Sequence, residues 1–256
     1  MTTSATRAKM LTFAPMVDSE TTRLVCRYYG LDVDERDHLF GWVSLLTLFH
    51  GGRGFIPLVY GKGYALTGPA EVIAHFDATL PPERRLAPTE EPLASEVAQD
   101  WKTYNSGTGH DIAVFSYYHL LPERAVMAPI FAEPVPWLEG KLVPVVYGLL
   151  SGLFTKLLKL SPENAAASAD LMRATFDATD SLIADGRRYL RGDRLTMGDI
   201  ALCGATAPIL LPRGYGAKMP PPEQQPPTMR ALGDELRARP TAAFVQRLYD
   251  SGFTGG

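Results

Sequence analysis

At 256 residues, with 46% hydrophobic and 21% charged side chains, the chain is long enough to bury a core in one large domain or two modest ones. Its net charge of −3 offers none of the clustered positive charge that nucleic acid binding requires. The two cysteines, Cys26 and Cys203, lie far apart inside helical patterns and read as buried thiols of a reducing compartment rather than a disulfide, and no Cys or His spacing suits a metal.

The first ten residues carry no apolar signal core and lead into a strand over residues 10–14, ended by Pro15. A helix follows over 19–29, with Leu24, Val25 and Tyr28 at helical spacing and Gly30 as its stop. Residues 31–38 alternate like a second strand, 39–54 is open between helix and loop, and 55–60 is a strand beginning at Pro57. Gly61-Lys62-Gly63 turns the chain into a short strand over 64–66, and 69–76 reads as a helix. The proline-rich, charged stretch 80–92 is the natural linker between a domain over 1–79 and another over 93–256. Beyond it the pattern is helical, over 93–105, 110–121, 143–160, 163–184, 197–211 and 228–238, with a proline-rich surface loop at 218–228. The apolar run 142–160 approaches membrane-spanning length. Pro144, Gly148, Gly152, Lys156 and Lys159 interrupt it, so it reads as a core or pocket-lining helix in preference to an interfacial membrane helix.

The sharpest local signal is Arg191 to Leu202, RGDRLTMGDIAL. Thr196 and Asp199 have the spacing of a helix N-cap and its N3 partner, each able to satisfy a backbone N–H of the other. Leu195 and Ile200 then form a hydrophobic staple, and the nearly all-apolar helix that follows belongs at the centre of a bundle. Placed this late in the chain, the segment resembles the capping motif of the glutathione transferases. Phe55-Ile56-Pro57-Leu58-Val59 and MVDSETTRLVCRYYGL (16–31) extend the resemblance to the N-terminal half. The implied fold is an α/β thioredoxin-like N-terminal domain followed by an all-α C-terminal helical bundle.

The resemblance also implies a site. Pro57 becomes a cis-proline opening the third strand, and the backbone of Ile56 pairs with the cysteinyl part of glutathione; read without the family, Pro57 only starts an edge strand. The family's usual thiol-activating position falls on Met16, whose thioether can donate nothing. Ser19, a turn onward, is the candidate activator, since a hydroxyl donating to the sulfur lowers its pKa. The competing reading makes Asp18 or Ser19 simply the N-cap of the first helix. Asp18 is not given the activating role, because its charge opposes a nearby thiolate. Where the family carries an acidic residue or Gln followed by Ser to hold the γ-glutamyl carboxylate, this chain has Gly68-Pro69, with Thr67 and Glu71 the nearest polar side chains. A lost charge-assisted hydrogen bond costs about 1.5–3 kcal/mol. Trp101, Tyr104, His110 and Tyr117 are the expected second-substrate pocket, around a break at Gly107-Thr108-Gly109.

The function implied is that of a glutathione transferase-like enzyme. With glutathione as co-substrate, it activates the thiol for attack on a hydrophobic small molecule, a detoxification-type reaction. A cytoplasmic homodimer without metal, nucleic acid or membrane partners goes with this reading. A lyase, isomerase or dehalogenase on the same fold is the near alternative. The distant alternative is a non-catalytic binding or scaffold protein, in which Met16, Gly68 and Pro69 record a lost thiol site.

Overall fold

The computed structural model of the protein describes residues 7–253, so the first six residues of the amino-terminal stretch lie outside it. Four strands, β1 (Arg7–Thr12), β2 (Asp32–Asp37), β3 (Leu58–Gly61) and β4 (Tyr64–Thr67), form one sheet in the order β2-β1-β3-β4. β1 and β2 run parallel, joined by helix α1 (Val17–Tyr28), while β3 is antiparallel to both β1 and β4. Strand alternation sends Met10 and Val59 into the main core with Leu24, Val25, Val72 and Ile73. Leu11 and Leu58 point to the opposite face and pack on Val43. Val43 belongs to α2 (Trp42–Phe49), which settles the open segment 39–54 as a short helix. Helix α3 (Gly68–Asp77) closes the N-terminal layer.

The register fixes what lies at one end of the sheet. Leu11 pairs with Leu58, and Leu58 pairs with Thr67. The end of β1, the start of β3 and the end of β4 therefore meet there, where Ile56-Pro57 and Gly68 lie and from which the chain leaves β1 toward α1.

The segment 80–92 is packed rather than loose. Leu86 is fully buried, Asp77 accepts the N–H groups of Leu86 and Ala87 at 2.9 and 2.8 Å, and Leu86 O accepts from Met197 N–H at 2.8 Å. The helices that follow are α4 (Leu93–Trp101), α5 (Gly109–Leu120), α6 (Arg124–Ala132), α7 (Trp137–Leu157), α8 (Pro162–Leu182), α9 (Met197–Leu210), α10 (Pro227–Arg237) and α11 (Pro240–Asp250). The expected break at 107–109 does not occur: Lys102–Thr108 forms a wide π-type turn that carries α4 into α5 without interruption.

The reciprocal capping box at Thr196 and Asp199 forms. The Asp199 carboxylate accepts from Thr196 N–H at 2.9 Å, Thr196 Oγ1 at 3.0 Å and Leu190 N–H at 2.7 Å. Every residue of α9 from Gly198 to Leu210 is buried. Gly204 permits its closest approach to α1: a Cβ there would lie 2.9 Å from Thr21 Cα. A buried carboxylate ties α1 to the helical domain at other points, as Glu20 accepts from Tyr249 OH of α11 at 2.9 Å and from Gly216 N–H at 3.1 Å, and pairs with Arg23 at 2.9 Å. The two layers are thus joined by apolar packing and by satisfied polar groups. Helix α7 is apolar on two faces. Val143, Tyr147, Leu150 and Phe154 point inward, while Leu138, Leu142, Val145, Leu149 and Leu157 are exposed. No single helix among the described residues is long and apolar enough to cross a membrane.

Candidate active site

A cavity of about 380 Å³ lies where the N-terminal end of α1 faces the helical domain. Pro15, Met16, Val17 and Asp18 form one wall, and α5, α7 and α9 contribute Ile112, Tyr117, Phe154, Leu157 and Pro208 to the others. The wall is aromatic in part: Tyr117 stacks on Phe154 with ring centres 4.9 Å apart, and Phe40 meets Phe154 at the same distance. Phe40 is held over the cavity because the preceding loop is tied to α7, with Glu139 accepting from Leu39 N–H at 2.9 Å and lying 2.7 Å from His38 Nδ1.

Two of the four expected pocket residues, His110 and Tyr117, line this cavity. Trp101 and Tyr104 do not. Trp101 ends α4 ahead of the wide turn, and Tyr104, within the turn, is buried against α8 with its hydroxyl 3.1 Å from Thr179 Oγ1. In their place the turn delivers Asn105 and Ser106 to the cavity. Their only sequence signal was a cluster of poor helix formers, Asn105-Ser106-Gly107-Thr108-Gly109, within a helical pattern.

Ser19 requires a correction. It is fully buried on the face of α1 turned toward the end of β1, its Oγ bonded to Thr12 Oγ1 and donating to Phe13 O at 3.1 Å. It does not line the cavity and has no hydroxyl proton left for a sulfur. It is not the N-cap of the helix either: Met16 holds that place, with extended backbone and no side-chain cap. From α1 itself, Val17 and Asp18 reach the cavity. Asp18 Oδ1 takes a long bond from Asn105 Nδ2 at 3.4 Å, and burial holds its carboxyl above the usual 3.8 despite that bond.

The Ile56–Pro57 peptide is cis, as the family resemblance implied. Ile56, Pro57, Thr67, Gly68 and Pro69 lie outside the cavity lining, at the end of the sheet where β1, β3 and β4 meet, while Met16 lines the cavity. Gly68 stands at φ +73°, a conformation that suits glycine, and its N–H donates to Pro57 O at 2.8 Å. Pro69 has no N–H, and the Thr67 N–H is taken at 2.7 Å by the protein's own Glu71 carboxylate, which also pairs with Arg53. The N-terminal end of α3 is therefore already served by an internal anion.

Several polar atoms around the cavity have no hydrogen-bond partner among the described residues. Asn105 Oδ1, Ser116 Oγ and Tyr117 OH are all buried and unbonded, and burial pushes the Tyr117 phenol well above its usual 10. Groups of this kind, set among apolar walls, are where a bound molecule finds its polar contacts.

A thioredoxin-like sheet domain, a helical domain capped on a buried central helix and a cavity between them define a two-domain α/β-plus-helical class of fold. The chain has the glutathione transferase fold. No family model matches its sequence, and neither does any curated protein. Solved structures do match its fold. A glutathione S-transferase from Methylobacillus flagellatus with glutathione bound superposes with a TM-score of 0.56 at 13% identity, covering 96% of each chain. One from Ceriporiopsis subvermispora, in complex with glutathione, gives 0.55 at 12% identity over 97% of this chain and 98% of that one. The beta-etherase LigF from a Sphingobium strain gives 0.54 at 15% identity over 95% and 99%.

Proposed function

We propose that the protein is a glutathione-dependent enzyme that joins the thiol of glutathione to an apolar electrophile bound in the cavity. The carrying observation is the position of that cavity. Its floor is the N-terminal turn of α1, and its walls are the aromatic and aliphatic side chains of the helical domain. A thiol at the end of the sheet beside Ile56 then faces an apolar co-substrate across one turn of helix. Backbone groups do most of the anchoring: Ile56 for the cysteinyl unit, and the α1 amides for the negative sulfur. The same reading makes the protein a cytoplasmic homodimer, in keeping with two buried free thiols and with the exposed apolar face of α7.

Calorimetric titration with glutathione tests the first step, and conjugation of a generic aryl halide tests the second. Saturable heat with conjugate formation supports the proposal; a folded protein giving neither overturns it. One observation favours a second reading, a non-catalytic binder of hydrophobic molecules. The internal Glu71–Arg53 pair and Pro69 leave the α3 end poorly equipped for a γ-glutamyl carboxylate. Under that reading the cavity takes up an apolar dye while glutathione gives no heat.

A further inference from the structure

We infer that Asp18 is the proton acceptor for the thiol, with Asn105 as the residue that positions it. The inference rests on the glutathione-dependent reading above. Among the α1 residues that line the cavity, Asp18 has the only side chain able to take a proton, because Ser19 is turned into the sheet and Met16 has no exchangeable group. Its partner comes from the wide turn, which brings Asn105 Nδ2 within 3.4 Å of one carboxylate oxygen. Asn105 Oδ1 is left buried and unbonded beside it, available to a donor on a bound molecule. Among the described residues one long hydrogen bond reaches this carboxylate, which leaves its remaining lone pairs open to a ligand.

The step balances. The S–H bond breaks, an O–H bond forms on a carboxylate oxygen of Asp18, and the sulfur keeps the electron pair with which it attacks the electrophilic carbon. The leaving group departs with its own pair, and the Asp18 proton passes to it or to water. Repulsion between carboxylate and thiolate does not arise, since one negative charge is present before and after the transfer and only its location changes. The new thiolate lies at the positive end of α1. Partial burial holds the Asp18 carboxyl above its ordinary value, which narrows the gap to a thiol and makes it a better base than an exposed aspartate. The other titratable groups lining the cavity are His110 and Tyr117, both on α5.

Asp18→Asn, compared with the native protein, decides the matter. Glutathione binding is measured first; if the native protein gives no heat, the underlying reading fails and the inference falls with it. Given binding, the variant is expected to hold glutathione within about threefold of the native Kd while kcat at neutral pH drops roughly a hundredfold. The acid limb of the native rate profile, set by protonation of Asp18, is expected to be replaced by a rate that climbs with the thiol's own ionisation. Asn105→Ala is expected to shift that limb with a smaller loss in kcat. Unchanged kcat and an unchanged pH profile in Asp18→Asn overturn the inference and leave the enzyme reading standing.

Discussion

Asp199 and Asp18 each sit near the start of a helix and each has its carboxyl raised by burial, complete for Asp199 and partial for Asp18, yet their surroundings differ in one decisive way. Asp199 accepts three hydrogen bonds of 3.0 Å or shorter from fixed neighbours and is fully buried. Asp18 has one long bond and an open, largely apolar space in front of it. The first carboxylate is consumed by structure, closing the cap of the helix on which the bundle is built. The second is left under-bonded, a condition that persists where a ligand completes the set. Counting donors around a buried carboxylate thus separates architecture from chemistry better than burial alone.

This contrast can be broken by measurement. The largest effect is expected from Asp199→Ala, which strands three buried donors and lowers unfolding stability by about 3 kcal/mol in denaturant titration. Asp18→Asn, removing an under-paired carboxylate, is expected to change stability by less than about 1 kcal/mol in either direction. Equal losses at the two positions would erase the distinction. The pH dependence of stability comes next. Asp199 is held at about 6 in the folded protein against 3.8 as its ordinary value. As pH rises between these values the unfolded chain gives up its proton first, so this group's contribution to stability falls from pH 4 to pH 6. Asp199→Asn is expected to flatten that part of the thermal-stability curve. Smaller again is Ala113→Trp, which fills the cavity from α5. It is expected to weaken binding of anilinonaphthalene sulfonate at least about tenfold with little loss of fold stability. Least of all, Tyr117→Phe deletes an unbonded buried hydroxyl and is expected to leave stability unchanged or raise it by under about 1 kcal/mol in the same denaturant assay.

Much of the architecture was legible because its signals are local. The Thr196–Asp199 box, the Leu195–Ile200 staple and the long apolar run after them depend on residues a few positions apart, and they formed as written. The strands and α1 shifted only by a few residues at their ends. Helices α6 and α11 have weaker sequence signals: α6 carries Pro129 in its interior, and α11 begins on Pro240 directly behind α10. The site was harder to read, since its residues meet through tertiary packing. Ser19 has the right chemistry at a plausible spacing, but helical rotation turns it toward Thr12, one position past the residue that reaches the cavity. Nothing in the periodicity of residues 93–120 announced the wide turn, because glycines and small polar side chains at that point signal a break equally well.

That turn between Lys102 and Thr108 governs the phase of everything downstream. Each residue of a regular helix advances the face by about 100°, so excising a single position and restoring ordinary winding would swing the rest of α5 by roughly that angle. Phe154 would then lose its stacking partner in Tyr117, and Asn105 would slip away from Asp18. One extra amino acid in a helix is thus sufficient to recast a plain packing surface as the lining of a chamber.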